Sequence, residues 1–257
     1  MSGIQIVLAD DVVAAAEHPI AGHCFVGASS SRRVSPAGCS LWLVTADLEA
    51  GTELRLPAVH GDEAVYVGSG SLVVEGRTCP ERGAVVVEAG AAPSIVAAEP
   101  TRIVHVGPAE PAVPEDGPNG PPQPGHEVHV VGPRGTYAAI EPGRDTHYYA
   151  DSTCPTCRLT LLYTSRMQEY VSATHSHSTD ELIHLVWGEL RLGSQTMRPG
   201  DTLAVDADRR YGFRSGPDGF GFLNYRRDAS DQVVERGSAP RREGGLVNGL
   251  TAVMDVR

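Results

Sequence analysis

The sequence predicts an all-β protein made of two tandem units. Three observations carry this: short Val- and Leu-rich runs punctuated by turn residues, a Pro- and Gly-crowded divider near the middle, and landmarks that repeat between the halves. The chain has 257 residues, with 29 Gly and 19 Pro. That length suits two domains of roughly 100–130 residues each. Frequent Gly and Pro between β-branched runs favour short strands over long helices.

The elements follow from local pattern. Glu63–Val67 and Glu181–Val186 are apolar runs that end in Gly-containing turns and read as strands. Tyr170–His177 places Val171, Ala173, His175 and His177 on one parity, so a strand there presents them on one face. One short helix is expected over 11–17, opened by Asp10 or Asp11 as N-cap. Gly216-Pro-Asp-Gly219 predicts a hairpin turn between two late strands.

The divider, 113–125, contains too much Pro and Gly to hold a sheet ladder. It splits the chain into 1–112 and 126–257. Glu63 precedes Gly70 as Glu181 precedes Gly188, and the offset between halves is 118 positions at the Glu and 117 at Gly83 and Gly200. An offset held through separate landmarks indicates internal duplication.

Charge and composition exclude several functions. The formal net charge is −11, and no basic cluster exceeds Arg209-Arg210 or Arg226-Arg227 by much, which speaks against nucleic acid as a partner. All 21 basic residues are Arg. Without Lys there is no Schiff-base chemistry, no lysine-anchored pyridoxal phosphate and no P-loop. No apolar stretch is long enough to span a bilayer, and the N-terminus lacks a signal-peptide pattern, so no membrane partner and a cytoplasmic location are expected. Five Cys do not suggest a disulfide framework.

The chemistry concentrates in the second half. His175-Ser-His177 is followed by Glu181 four positions later and Gly188 seven beyond, and then by Pro199-Gly-Asp-Thr-Leu-Ala-Val. This arrangement resembles the two sequence motifs of the cupin superfamily. The resemblance covers most of the second half and, more weakly, the first. It implies two tandem jelly-roll barrels, which hide strand edges in a double sheet. It also implies one metal held by His175, His177 and Glu181. A lone HxH would read as polar residues at a strand end; the surrounding landmarks carry the metal reading. Two imidazoles and a carboxylate leave coordination positions open, which suits one divalent transition metal, Fe(II) first, then Zn, Mn or Ni.

Two departures from the pattern matter. Placed without gaps on the second motif, the fourth ligand His falls at Tyr211. Tyr211 is the candidate catalytic residue, and its ring reads as a phenolate ligand, a proton carrier or packing. In the first half, the paired His positions fall at Pro57 and Val59, and the later one at Ser94. The first unit therefore reads as a barrel that has lost its metal, with rescue by His60 and Glu63 requiring a bulge.

Three further features stay secondary. His184 and Tyr66 occupy matching places, on the opposite parity to the Glu, and read as packing between sheets. Cys154-Pro-Thr-Cys157 reads as a redox pair, half a zinc site or a structural turn. Trp187 and Phe213 read as core or pocket wall. The function expected from the resemblance is a metal-dependent enzyme on a small organic molecule, an oxygenase or dioxygenase first. An isomerase or lyase, and a non-catalytic small-molecule binder, are the alternatives. A homodimer is left open.

Overall fold

The computed structural model describes residues 3–111, 127–141, 144–151, 153–154, 156–234, 241–242 and 252–254. The expected divider, 113–125, lies outside them. The protein is all-β, as expected, and its sheets are antiparallel throughout.

The first unit pairs two sheets. One has six strands in the order Val128–Val131, Ala84–Val87, Glu63–Ser69, Thr101–Pro108, Leu41–Leu48, Ser29–Arg33. The other has five, from Cys24–Val26 through Glu53–Arg55, Ile95–Ala97 and Ser71–Val74 to Arg77–Pro80. In the second unit Glu181–Leu192 lies between Thr202–Val205 and Arg214–Arg226, and Thr160–Arg166 and Arg144–Ala150 follow beyond the latter. Ser176–His177, Asp231–Val233 and Arg241–Arg242 form a separate three-stranded sheet.

Two edge strands cross between the halves. Ile4–Val7 pairs with Thr202–Val205 of the second unit, and Val128–Val131 pairs with Ala84–Val87 of the first. Each exchange covers an open sheet edge, which would otherwise expose unpaired N–H and C=O groups.

Period-2 alternation distributes the side chains among three cores. Val65, Val67, Val85, Val87 and Ile103 point into the first unit's own core. Ile183, Leu185 and Leu203 point into the second unit's. The opposite parity, with Ala64, Tyr66, Val104, Val106, Leu182, Ala204 and Leu223, forms a third core shared by both units. The central strands are apolar on both faces for this reason. Glu63 and Glu181 share parity with the residues of the separate cores, so each carboxylate sits inside its own unit. His184 and Tyr66 share parity with the interface, as the alternation predicts, and both line a cleft of about 620 Å³ between the units.

Two local expectations are corrected. A helix over 11–17 does not form; Ala9–Asp11 makes a single 3-10 turn, and Val12 is already extended. The segment is too short to bury an apolar face, with Val13 fully in solvent, and Ala15 instead exchanges backbone bonds with Ser31. Nor does Gly216–Gly219 end a strand. Arg214–Arg226 is continuous, and the register jumps from Leu190↔Ser215 to Gly188↔Phe220, so the four residues bulge out of the ladder.

Gly188 makes this close approach possible. Its φ is +82°, and a Cβ there would meet the Gly219 carbonyl oxygen at 2.3 Å. Left-handed backbone and backbone contact act together, so Gly188→Ala should cost at least about 2 kcal/mol. The expected readout is a lower denaturant midpoint with an unchanged slope; an unaltered midpoint would contradict the assigned packing.

Candidate metal centres

Glu63 and Glu181, each 1% exposed, open the matching central strands of the two units and turn their carboxylates into the unit's own core. An ionised carboxylate so placed needs donors or a cation close by. The two units meet that requirement differently.

In the first unit the partners are histidines. His105 Nε2 lies 2.9 Å from Glu63 Oε2, and His23 Nε2 lies 3.1 and 3.0 Å from the two oxygens. One nitrogen from each ring and one carboxylate oxygen all fall within 4.8 Å of one another. Ligands at about 2.1 Å in neighbouring coordination positions lie about 3 Å apart, so the spacing fits a common ion as well as hydrogen bonds. His105 reaches the cluster from Thr101–Pro108, where it pairs with Val65 in the ladder. His23 enters just ahead of Cys24–Val26, and its Nδ1 faces the Ala21 carbonyl at 3.4 Å. That contact uses the far ring N–H, so metal binding at Nε2 has to expel the proton it shares with Glu63.

A second layer orders the rings. The Ile20 N–H donates to His18 Nδ1 at 3.2 Å, and His18 Nε2 lies 3.1 Å from His105 Nδ1. When both rings are neutral, His18 must donate to His105, and His105 Nε2–H then donates to Glu63. Metal binding at His105 has to expel that proton. Burial, with His105 and His23 adding to it, holds the His18 pKa down at about 2. Burial by itself would raise Glu63, but hydrogen bonds from His105 and His23 outweigh it and hold the carboxyl at about 2.

The sequence missed this cluster because neither His23 nor His105 has HxH spacing to anything. Val59 is in solvent, and the Ser94 hydroxyl donates to Glu53. His60 does approach Glu63 Oε1, at 3.9 Å, but its two ring nitrogens face the Gly61 and Ala91 carbonyls at 2.7 and 2.8 Å. Both contacts require N–H donors, so no lone pair remains for a metal.

In the second unit the expected residues do gather. His177 Nε2 lies 3.8 Å from Glu181 Oε2, and the His175 and His177 rings are edge to face at 5.1 Å. His175 Nδ1 donates to the Ala173 carbonyl at 2.8 Å, which leaves its Nε2 with a lone pair. Tyr211 exchanges both backbone bonds with His175, and its ring tilts over the imidazole at 4.6 Å. The space between His177 and Glu181 holds a guanidinium, however. Arg226 Nη2 is 3.2 Å from Glu181 Oε2 and 3.3 Å from His177 Nε2. Asn224 donates to the same oxygen at 2.8 Å. Burial would raise Glu181; His177 and the Arg226 charge, with hydrogen bonds from Tyr211 and Asn224, bring it to about 2.

The ladders explain the difference. Val65 faces His105 and Ile183 faces Asn224, so His105 and Asn224 are counterparts. Glu181 faces Arg226; one step along the first unit's register from Ala64↔Val106, Glu63 faces Gly107. Glycine is required there: a Cβ would meet the Trp42 ring at 2.4 Å and Glu63 Cγ at 3.0 Å. A side chain that fills one site is missing at the other.

No family model matches the chain, and no curated protein does. Solved structures match across most of its length. A Pseudomonas aeruginosa protein described as glyoxylate-induced has a TM-score of 0.64 at 15% identity, over 88% of both chains. A Lactobacillus farciminis oxalate decarboxylase in complex with formate has a TM-score of 0.67 at 14% identity, covering 89% of this chain and 88% of that one. A Bacillus subtilis oxalate decarboxylase studied for its Mn(II) centres has a TM-score of 0.64 at 17% identity, covering 89% and 78%. At such identities the likeness shows the fold, a cupin-type jelly roll.

The titration directions give a pH prediction. Burial holds His184 at about 4, so the folded protein refuses a proton that the unfolded chain accepts below about 6.5. Its contribution is complete above pH 6.5 and is lost as pH falls towards 4. Glu63 and Glu181 act on a lower window, stabilising above about 4.5 and less towards 2. In a denaturation series from pH 7 to 4, His184→Gln should flatten the loss, by at most about 3 kcal/mol. A parallel curve would mean that His184 titrates freely in the fold.

Proposed function

We propose that this chain is a metal-dependent enzyme acting on a small organic molecule, with its metal held by His23, Glu63 and His105. The observation that carries the proposal is that three buried ligand atoms lie within 4.8 Å of one another. Two imidazoles and one carboxylate leave positions open for substrate, whether the ion is Fe(II), Mn(II) or Zn(II). Such an ion would polarise a bound oxygen atom. The chain's own residues would orient the ligands: Ala21 through His23, and Ile20 and His18 through His105. Trp42, whose ring packs against both His23 and His105, would bound the site.

Lyase chemistry on a small carboxylic acid is the first reaction class to assay, because decarboxylases stand among the fold's relatives. Oxygenation is the second. Release of carbon dioxide without net oxygen uptake would mark the first; oxygen uptake in step with product would mark the second.

A second metal at His175, His177 and Glu181 is the competing placement, favoured by the His175–Ala173 contact. It requires Arg226 to leave the carboxylate. Elemental analysis of the purified protein and two double variants separates the placements. His23→Ala with His105→Ala should remove stoichiometric metal, while His175→Ala with His177→Ala should retain it. The opposite result would move the centre to the second unit. Turnover by Tyr211→Phe gives an independent check. A proton-carrying role would cost on the order of 10²–10⁴-fold, whereas chemistry in the first unit predicts near-parental rates.

A further inference from the structure

Cys154-Pro-Thr-Cys157 precedes the Thr160–Arg166 strand, and its two sulfurs are joined in the structure. Its surroundings are not those of an isolated bridge. Glu88, just after Ala84–Val87, and His129, on the crossing strand Val128–Val131, both face it. A carboxylate oxygen of Glu88, a ring nitrogen of His129 and Cys154 Sγ lie within 4.8 Å of one another. His129 Nε2 is 2.8 Å from Glu88 Oε1. Three donor types thus meet where two parts of the chain far apart in sequence come together.

We propose that, with the cysteine pair reduced, Glu88, His129, Cys154 and Cys157 form a tetrahedral zinc site that clasps the loop before Thr160–Arg166 to the first unit. Two cysteines three positions apart supply half of a tetrahedron. The fold supplies the other half from a buried carboxylate and a partly exposed imidazole. The supporting contacts already point at the ligand atoms. The Cys157 N–H donates to Cys154 Sγ at 3.2 Å, a contact that favours thiolate. The Glu127 N–H donates to Glu88 Oε2 at 3.2 Å, and the Thr156 hydroxyl donates to Oε1. These bonds orient the carboxylate before any ion arrives. The balance has two steps: a thiol or phosphine reductant gives the disulfide two electrons, which with two protons from water yield two thiols; one Zn²⁺ then enters and the two thiol protons leave.

Thiolate ligation separates this site from the nitrogen and oxygen centre proposed above. The test uses the full chain, stripped of metal, reduced with a phosphine under argon and titrated with Co²⁺. One equivalent should produce an intense near-ultraviolet sulfur-to-cobalt band with tetrahedral visible bands, both displaced by Zn²⁺. Cys154→Ser with Cys157→Ser should abolish the near-ultraviolet band. His129→Ala and Glu88→Gln should each weaken Co²⁺ binding at least about tenfold. His129 is partly exposed, so its variant should fold even if the cysteine variant does not. Absence of the band from the reduced parent overturns the proposal. So does a band that survives loss of both cysteines, or affinities untouched by both the His129 and Glu88 changes.

Discussion

A buried carboxylate that stays ionised is the constraint around which each unit is arranged. Glu63 and Glu181 take the matching place on matching central strands, with side chains directed into the unit's own core. Hydrocarbon cannot stabilise their charge, so the adjacent strands must bring donors. In the first unit the donors are imidazoles, His105 across the ladder and His23 from the opposite sheet. In the second they are the Asn224 amide and the Arg226 guanidinium.

That choice separates the chemistry of the two halves. Imidazoles can give up a proton and accept an ion in its place. A guanidinium cannot be deprotonated, and it fills the space with its own charge. The controlling position is the residue opposite the glutamate: Gly107 in one ladder, Arg226 in the other. Gly107 leaves room for Trp42 to pack beside Glu63, so a missing side chain shapes the first centre as much as the side chains that are present.

The two units are also tied to each other. They share an apolar core, exchange edge strands and are cross-linked by polar contacts near the first centre. Asp62, next to Glu63, accepts from the Ala89 and Arg158 backbone N–H groups, and the Tyr225 hydroxyl donates to its carbonyl. The Tyr149 hydroxyl donates to the Arg82 carbonyl at 2.7 Å. Residues of the second unit therefore help hold the segment that carries the first unit's carboxylate. The Glu88–His129–Cys154 cluster belongs to the same seam.

The sequence by itself determined the β class and the face on which each central side chain lies. Those features depend on period-2 alternation and turn residues, both local properties of the chain. The resemblance to the cupin motifs also grouped His175, His177, Glu181 and Tyr211, which the structure places side by side. It could not reveal that Arg226 would stand between His177 and Glu181, because that contact follows from the pairing register of strands 45 residues apart. Nor could it join His23, from the segment just ahead of Cys24–Val26, to Glu63 and His105 on adjacent strands of the other sheet. The expected helix over 11–17 and the turn at 216–219 failed for a related reason: pairing with distant strands outweighed weak local preferences. Side-chain facing is a short-range consequence of backbone geometry, whereas the partners of a buried charge are decided only when the sheets close.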